Sequence, residues 1–224
     1  MTQLPLDLGH RTALGRADFL VAPCNAAAVA WLDRWPQWPG PALALYGPER
    51  SGKTHLAEVW RGRTGAAMIA PASLAPASVA ERLGKARAAV IDDADAADEE
   101  ALLHLYNLLA ERQGHLLIVA RRPPARWHIA LADLRSRLLS APTVAVEAPD
   151  EAVLGAVLVK LFADRQLIVG EGVIPYLLVQ LDRSFAAAEA AVAALDAASL
   201  ADRRAITVPL ARQVLTRLGT RDPG

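Results

Sequence analysis

The sequence predicts an α/β fold in which a five-stranded parallel sheet with interleaved helices precedes a small all-helical lid. Three observations carry that reading. Short apolar segments alternate with helix-patterned ones as far as residue 146, the order expected of a parallel sheet wrapped by helices. A loop reading Gly47-Pro48-Glu49-Arg50-Ser51-Gly52-Lys53-Thr54 separates the first apolar segment from a helical one. After Pro149-Asp150 the strand pattern stops and only helical patterns remain. The 224 residues suit one large domain or a sheet domain plus a small second one. We place a flexible tail over 1–18, the base over 19–148 and the lid over 149–224.

Taken in order, the base should open with a helix over 25–35 and then enter a strand over 42–46. Helix 53–61 leaves the loop, followed by strand 66–70, helix 74–84, strand 88–92, helix 98–113, strand 115–120, helix 131–139 and strand 143–146. The strands are almost continuously apolar, as parallel strands covered on both faces must be. Lid helices are expected over 151–165, 172–181, 185–200 and 209–218. Asp150 can cap the first, Gly170 and Gly172 punctuate a turn, and Thr207 before Val208-Pro209 opens the last with proline in its first turn. The alanine-rich run 186–198 reads as a well-formed, closely packing helix, because alanine is the strongest helix former. No internal repeat is visible.

Composition removes several function classes. Lys and Arg number 24 and so do Asp and Glu, giving a formal charge of zero. A duplex-DNA binder ordinarily shows a basic excess or stripe, and Arg121-Arg122 and Arg203-Arg204 are too short to form one. No direct sequence-specific DNA binding is expected. The single cysteine, Cys24, excludes an internal disulfide and suits a reducing cytosol. It reads as a small core or pocket-edge residue rather than a nucleophile. The first twenty residues lack a basic stretch followed by an apolar one, and no apolar run approaches a membrane span. The expectation is a cytoplasmic protein with no membrane contact.

The loop supplies the first chemistry. Its G-x-x-x-x-G-K-[ST] pattern, leaving an apolar strand and opening a helix, is a phosphate loop: backbone N–H groups turn inward around a polyphosphate, Lys53 reaches the β and γ phosphates, and the Thr54 hydroxyl ligates Mg²⁺. The helix dipole adds to the attraction. ADP or ATP with Mg²⁺ is the expected ligand, contacted by Pro48, Glu49, Arg50, Ser51, Gly52, Lys53, Thr54 and His55. The second element, Ala89-Val90-Ile91-Asp92-Asp93, is a strand ending in two carboxylates. In phosphate-loop ATPases the first acid, here Asp92, holds Mg²⁺, and the next, Asp93, can polarise the attacking water. Taken alone the segment reads as a solvated turn with Asp95 or Asp98 as a helix cap; the phosphate loop upstream favours the catalytic assignment.

The third element, Asp133-Leu134-Arg135-Ser136-Arg137-Leu138, sits on a helix between the fourth and fifth strands. An arginine there is often an ordinary surface residue. Its position also suits an arginine finger, a cation inserted into a neighbour's active site and worth roughly 10³ to 10⁵ in hydrolysis rate when supplied in trans.

Together the 19–25 segment, the GPERSGKT loop, AVIDDAD, LLIVARRPP and LRSRL, followed by a helical lid, resemble the DnaA-like AAA+ family over nearly the whole chain from Phe19 onward. DnaA carries an N-terminal interaction domain and a C-terminal helix-turn-helix domain that are not expected here, so the resemblance narrows to the Hda family. That resemblance implies several things. Adenine packs against a segment matching Leu20 to Asn25, with Leu20, Val21 and Asn25 in contact. The finger matching Arg137 acts on DnaA-bound ATP, making DnaA a partner. The DNA polymerase III sliding clamp, its beta subunit, is the other partner, and the outcome is regulatory inhibition of replication initiation. Gln3-Leu4-Pro5-Leu6-Asp7-Leu8 is similar to the clamp-binding peptide, an extended segment docking aliphatic anchors in a groove. The alternative is that Leu4, Leu6 and Leu8 pack back as an edge strand. The family reading also admits a homodimer.

Two departures modify the expectation. The strand-end sensor position carries Val119-Ala120-Arg121 instead of small polar residues and an acid. In the lid the second sensor arginine falls near Ala186, leaving Arg183 one turn earlier as a substitute. Degraded sensors imply a nucleotide binder with weak or no ATPase of its own. The competing readings are a DnaA-like or helicase-loader-like ATPase acting in replication, a metabolic kinase, which would not need LRSRL or a four-helix lid, and a nucleotide-dependent scaffold.

Overall fold

Five parallel strands form one sheet in the order β2-β3-β4-β1-β5. These are β1 (Ala42–Tyr46), β2 (Ala67–Ile69), β3 (Ala88–Ile91), β4 (His115–Ala120) and β5 (Thr143–Ala145). The structure, a computed structural model, describes residues 21–202 and 205–219. The Gln3 to Leu8 peptide, Leu20 and Arg203-Arg204 lie outside the described residues. Contacts divide the chain into two units, one of residues 21–49 with 53–147 and one of residues 50–52 with the chain from 148 onward.

The first unit follows from period-two alternation in the strands. Leu43, Leu45, Val90, Leu117 and Val119 point to one face, where they meet Val29 and Leu32 of α1 (Ala26–Asp33) and Leu56 and Trp60 of α2 (Lys53–Thr64). Their neighbours Ala44, Ala89, Ile91, Leu116 and Ile118 point to the other. There they meet Val79 and Leu83 of α3 (Val79–Leu83), Leu102, Leu105 and Leu109 of α4 (Glu99–Glu111), and Leu134 and Leu138 of α5 (Ala132–Ser140). With both faces covered, β3 is buried along its whole length.

The helix expected over 74–84 is present only in its second half, as α3. Residues before it make two 3₁₀ turns, at Pro71–Ser73 and Pro76–Ser78. Pro76 has no N–H and pushes Ala75 into an extended conformation at φ −125°, ψ 151°. The Ser78 hydroxyl then accepts from the Ala75 N–H at 3.2 Å, so turn geometry replaces helix there. Asp98 caps α4 by accepting from the Ala101 N–H at 2.9 Å.

Beneath the sheet's entry edge Trp38 stacks on Trp60, centroids 5.5 Å apart, and His115 stands edge-on to Trp38 at 5.4 Å. Burial lowers the His115 pKa, opposed in part by a hydrogen bond to the Pro36 backbone.

In the second unit α6 (Glu151–Asp164), α7 (Val173–Gln180), α8 (Phe185–Asp202) and α9 (Val208–Leu218) pack together. Asp150 caps α6 through the Val153 N–H at 2.7 Å, and Ser184 caps α8 through the Ala187 N–H at 3.1 Å. Gly172 precedes α7 at φ 81°, a left-handed conformation that glycine adopts without strain. A parallel bridge joins Val169 to Ile206. Buried Ala188 and Ala191 let α8 approach its neighbours closely. Among the described residues no helix is long and apolar enough to cross a membrane.

A depressed pKa means that the unfolded chain holds more protons on His115 than the folded one below pH 6.5. Its contribution to stability is therefore complete above pH 6.5 and lost as pH falls through the folded value. Urea melts followed by circular dichroism should show an acid-side slope that flattens in His115→Gln; an unchanged slope would refute this assignment.

Candidate functional site

Strand register gathers the phosphate-handling residues. Tyr46 lies opposite Ala120 and Ile91 opposite Ile118, so three parallel strands end at nearly the same level. The segments leaving these strands therefore emerge along one edge, the end where open α/β sheets bind ligands. The loop at 47–54 comes after β1, Asp92-Asp93 after β3, and Arg121 after β4. The Gly47 N–H donates to the Ala120 carbonyl at 3.2 Å, docking the start of the loop on β4.

Within the loop Gly52 sits at φ 95°, where a side chain would strain the backbone, and Arg50 tolerates φ 62° at a cost on the order of 1 kcal/mol. Lys53 is only 8% exposed, and its Nζ donates to the Pro48 carbonyl at 2.6 Å, curling the loop onto its own ammonium. Burial lowers the Lys53 pKa; Asp92 and Asp93 oppose that shift, Arg121 adds to it, and Glu49 opposes it. The Thr54 hydroxyl donates to Asp92 Oδ2 at 2.7 Å, while the Asp93 N–H donates to Asp92 Oδ1 at 3.0 Å. Asp93 itself takes a left-handed conformation at φ 52° and opens the 3₁₀ turn Ala94–Ala96. Among the described residues no three or more His, Cys, Asp or Glu side chains form a metal cluster by themselves. An ion shared between Thr54, Asp92 and the phosphates of a ligand fits that chemistry, and the curled loop around buried Lys53 fits a polyphosphate.

Arg121 is the residue whose role sequence reasoning left open. Its Nη1 pairs with Glu49 Oε1, and its Nε lies 3.9 Å from Asp93 Oδ1. Where a polar sensor was absent from the sequence, a guanidinium stands between the loop and the second acid. Parallel register was the signal: a residue directly after β4 must share an edge with the loop.

The other candidates have contacts or burial of their own. Val21 is half-buried, whereas Asn25 is buried with its Oδ1 accepting from the Ala22 N–H at 2.8 Å. The Cys24 carbonyl accepts from the Glu147 N–H at 2.9 Å, joining this turn to the segment after β5. Ser51 is buried and His55 half-buried in the first turn of α2. Within the second unit Arg50 lies 2.5 Å from Asp182, and Arg183 lies 3.6 Å from Glu151. Arg137, on α5, joins neither the loop nor the acids: its Nε lies 3.0 Å from Asp133 Oδ1, its guanidinium covers the Tyr106 ring, and its side chain is 37% exposed.

Comparison with known proteins bears on both units. Residues 152–215 match the family model described as Hda, lid domain. The fold is similar to the crystal structure of domain III of Thermotoga maritima DnaA, with TM-score 0.67 and 19% identity over 89% of this chain and 94% of that one. It is similar also to AMPPCP-bound DnaA from Aquifex aeolicus, with TM-score 0.62 and 18% identity over 80% of this chain and 63% of that longer one. The Thermotoga maritima RuvB Holliday junction branch migration motor matches with TM-score 0.62 and 15% identity, over 87% of this chain and 67% of that one. The fold is thus like that of DnaA domain III, and residues 152–215 resemble the Hda lid domain.

The loop geometry predicts that ADP at a hundred times its Kd raises the Tm by about 5–10 °C. Lys53→Ala should abolish that rise while leaving the melt without nucleotide cooperative. A nucleotide titration by thermal shift checks it, and an equal rise in the variant would remove Lys53 from the site.

Proposed function

We propose that this Hda-like, DnaA-related AAA+ protein is a negative regulator of replication initiation, which docks on the sliding clamp and accelerates hydrolysis of DnaA-bound ATP. The observation that carries the reading is the match of residues 152–215 to the Hda lid, attached to a base with the DnaA-like fold. One neighbour is described as DnaA bound to AMPPCP and single-stranded DNA, which supports a replication role and an adenine nucleotide as ligand. The base over 19–148 and the lid over 149–224 are the two working parts. The Gln3-Leu4-Pro5-Leu6-Asp7-Leu8 segment supplies the clamp contact, and it lies outside the described residues.

In this mechanism the chain's own loop holds ADP or ATP through Lys53 and Thr54, with Asp92 sharing Mg²⁺. Bound nucleotide supplies negative charge that the buried Lys53 ammonium and Arg121 answer. Arg121 competes with water for the exposed Asp93 carboxylate from 3.9 Å, which supports weak hydrolysis by the chain itself. Catalysis is exported instead. Arg137 is half-exposed, and its Asp133 partner engages the Nε edge. Both terminal amino groups of the guanidinium remain for a phosphoryl group in a partner, where a planar fork matches oxyanion geometry. The alternative, an ATPase of DnaA-like or helicase-loader-like type acting in replication, draws on the Thr54–Asp92 pair and is distinguished by turnover without DnaA.

Purified chain should accelerate hydrolysis of DnaA-bound ATP only when clamp is loaded on DNA. Arg137→Ala should keep the wild-type melt and nucleotide affinity but lose roughly 10³-fold or more of the stimulated rate; retained stimulation rejects the finger. Replacing Gln3, Leu4 and Leu6 with alanine should remove clamp binding in a pull-down without moving the melting curve. Unchanged capture of clamp would refute that site.

A further inference from the structure

Arg137 is held from two directions. One turn earlier on α5, Asp133 accepts its Nε at 3.0 Å. From α4, the Tyr106 ring lies under the guanidinium with 5.4 Å between Cζ and the ring centre. Tyr106 is 6% exposed, so its ring belongs to the core and has little freedom to move. On α5 the Ser140 hydroxyl donates at 2.7 Å to the carbonyl of Arg137. A ring fixed in the core and a carboxylate on the same helix thus converge on one half-exposed cation.

We infer that Tyr106 and Asp133 are positioning residues that hold Arg137 in a preformed pose, with its Nε edge and one face occupied and its two terminal amino groups presented outward. The inference rests on the reading of Arg137 as a finger. An unrestrained arginine loses much of its rotamer freedom when it enters a partner's site. A side chain already ordered by a ring and a carboxylate has lost most of that freedom on folding, so the rate step no longer carries the cost. An isolated exposed ion pair would contribute little. The ring matters because it is buried in the core and packs on the guanidinium from α4, whereas Asp133 reaches Nε from α5 itself.

The test uses the full chain with clamp on DNA and DnaA-bound ATP, scanning the concentration of the chain. Tyr106→Leu and Asp133→Asn should each lower the maximal stimulated rate about tenfold at unchanged half-saturating concentration. Tyr106→Phe, which keeps the ring, should restore it. In an Arg137→Ala background Tyr106→Leu should cause no further loss. A second readout needs no DnaA: NMR relaxation at the Arg137 Nε–H should report an ordered side chain in the wild type and in Tyr106→Phe, and a mobile one in Tyr106→Leu and Asp133→Asn. Full maximal rates in both variants, losses confined to half-saturation, or further loss in the Arg137→Ala background would overturn the positioning role. So would a mobile wild-type side chain. No stimulation by wild type beside an ordered Arg137 would instead remove the finger reading and leave the hold as a structural contact.

Discussion

The hydrogen bond from Thr54 to Asp92 joins two segments 38 residues apart, and it exists because β1 and β3 end at nearly the same level on either side of β4. Parallel pairing gives every strand the same polarity, so successive loops collect at one edge instead of alternating between two. A one-residue slip of β3 against β4 would turn Ile91 from one core to the other and carry Asp92 away from the loop. Burial of both sheet faces makes that slip expensive. The hydrophobic cores therefore set the chemistry of the edge: Ile91 and Ala94, which flank Asp92-Asp93, are buried in one of them.

Charge at that edge is finely balanced. Glu49, Asp92 and Asp93 face Lys53 and Arg121, so the described site carries three potential negative charges against two positive ones. Lys53 is the buried member, and burial moves its pKa downward more than the nearby acids restore. Arg121 lies on the solvent side, where its pairing with Glu49 is worth at most about 1 kcal/mol. A guanidinium held that weakly can turn toward a better anion, since charge-assisted contacts to phosphate are roughly twice as strong as neutral hydrogen bonds.

Much of this architecture was legible in the sequence because its signals are local. Strands over 42–46 and 115–120 announced themselves as almost continuous apolar runs, and Asp150, Gly172 and Pro209 marked helix starts close to where the structure has them. Legibility failed where a local rule was outweighed or where contacts were non-local. The 74–84 segment has helical periodicity, yet Pro76 converts its first half into turns. The acids after β3 read locally as a solvated turn with Asp95 or Asp98 as a helix cap; Asp98 is the cap, while Asp92 contacts Thr54 of the loop. Arg121 looked like the loss of a sensor because a residue list has no register. Tyr106 drew no attention, being one aromatic on an amphipathic helix whose distinction comes only from what α5 lays across it.

Arg137 makes its contacts with Asp133 and Tyr106, on α5 and α4, whereas the phosphate loop leaves β1. A union in which the arginine of one molecule reaches the loop of another joins two unlike surfaces, so it is heterologous and has a head and a tail. Such joints end in rings or in open filaments unless one participant lacks a matching end. Pairing with a related but different subunit is the simplest way to stop growth after a single step, and symmetry, rather than affinity, would then limit the size of the assembly.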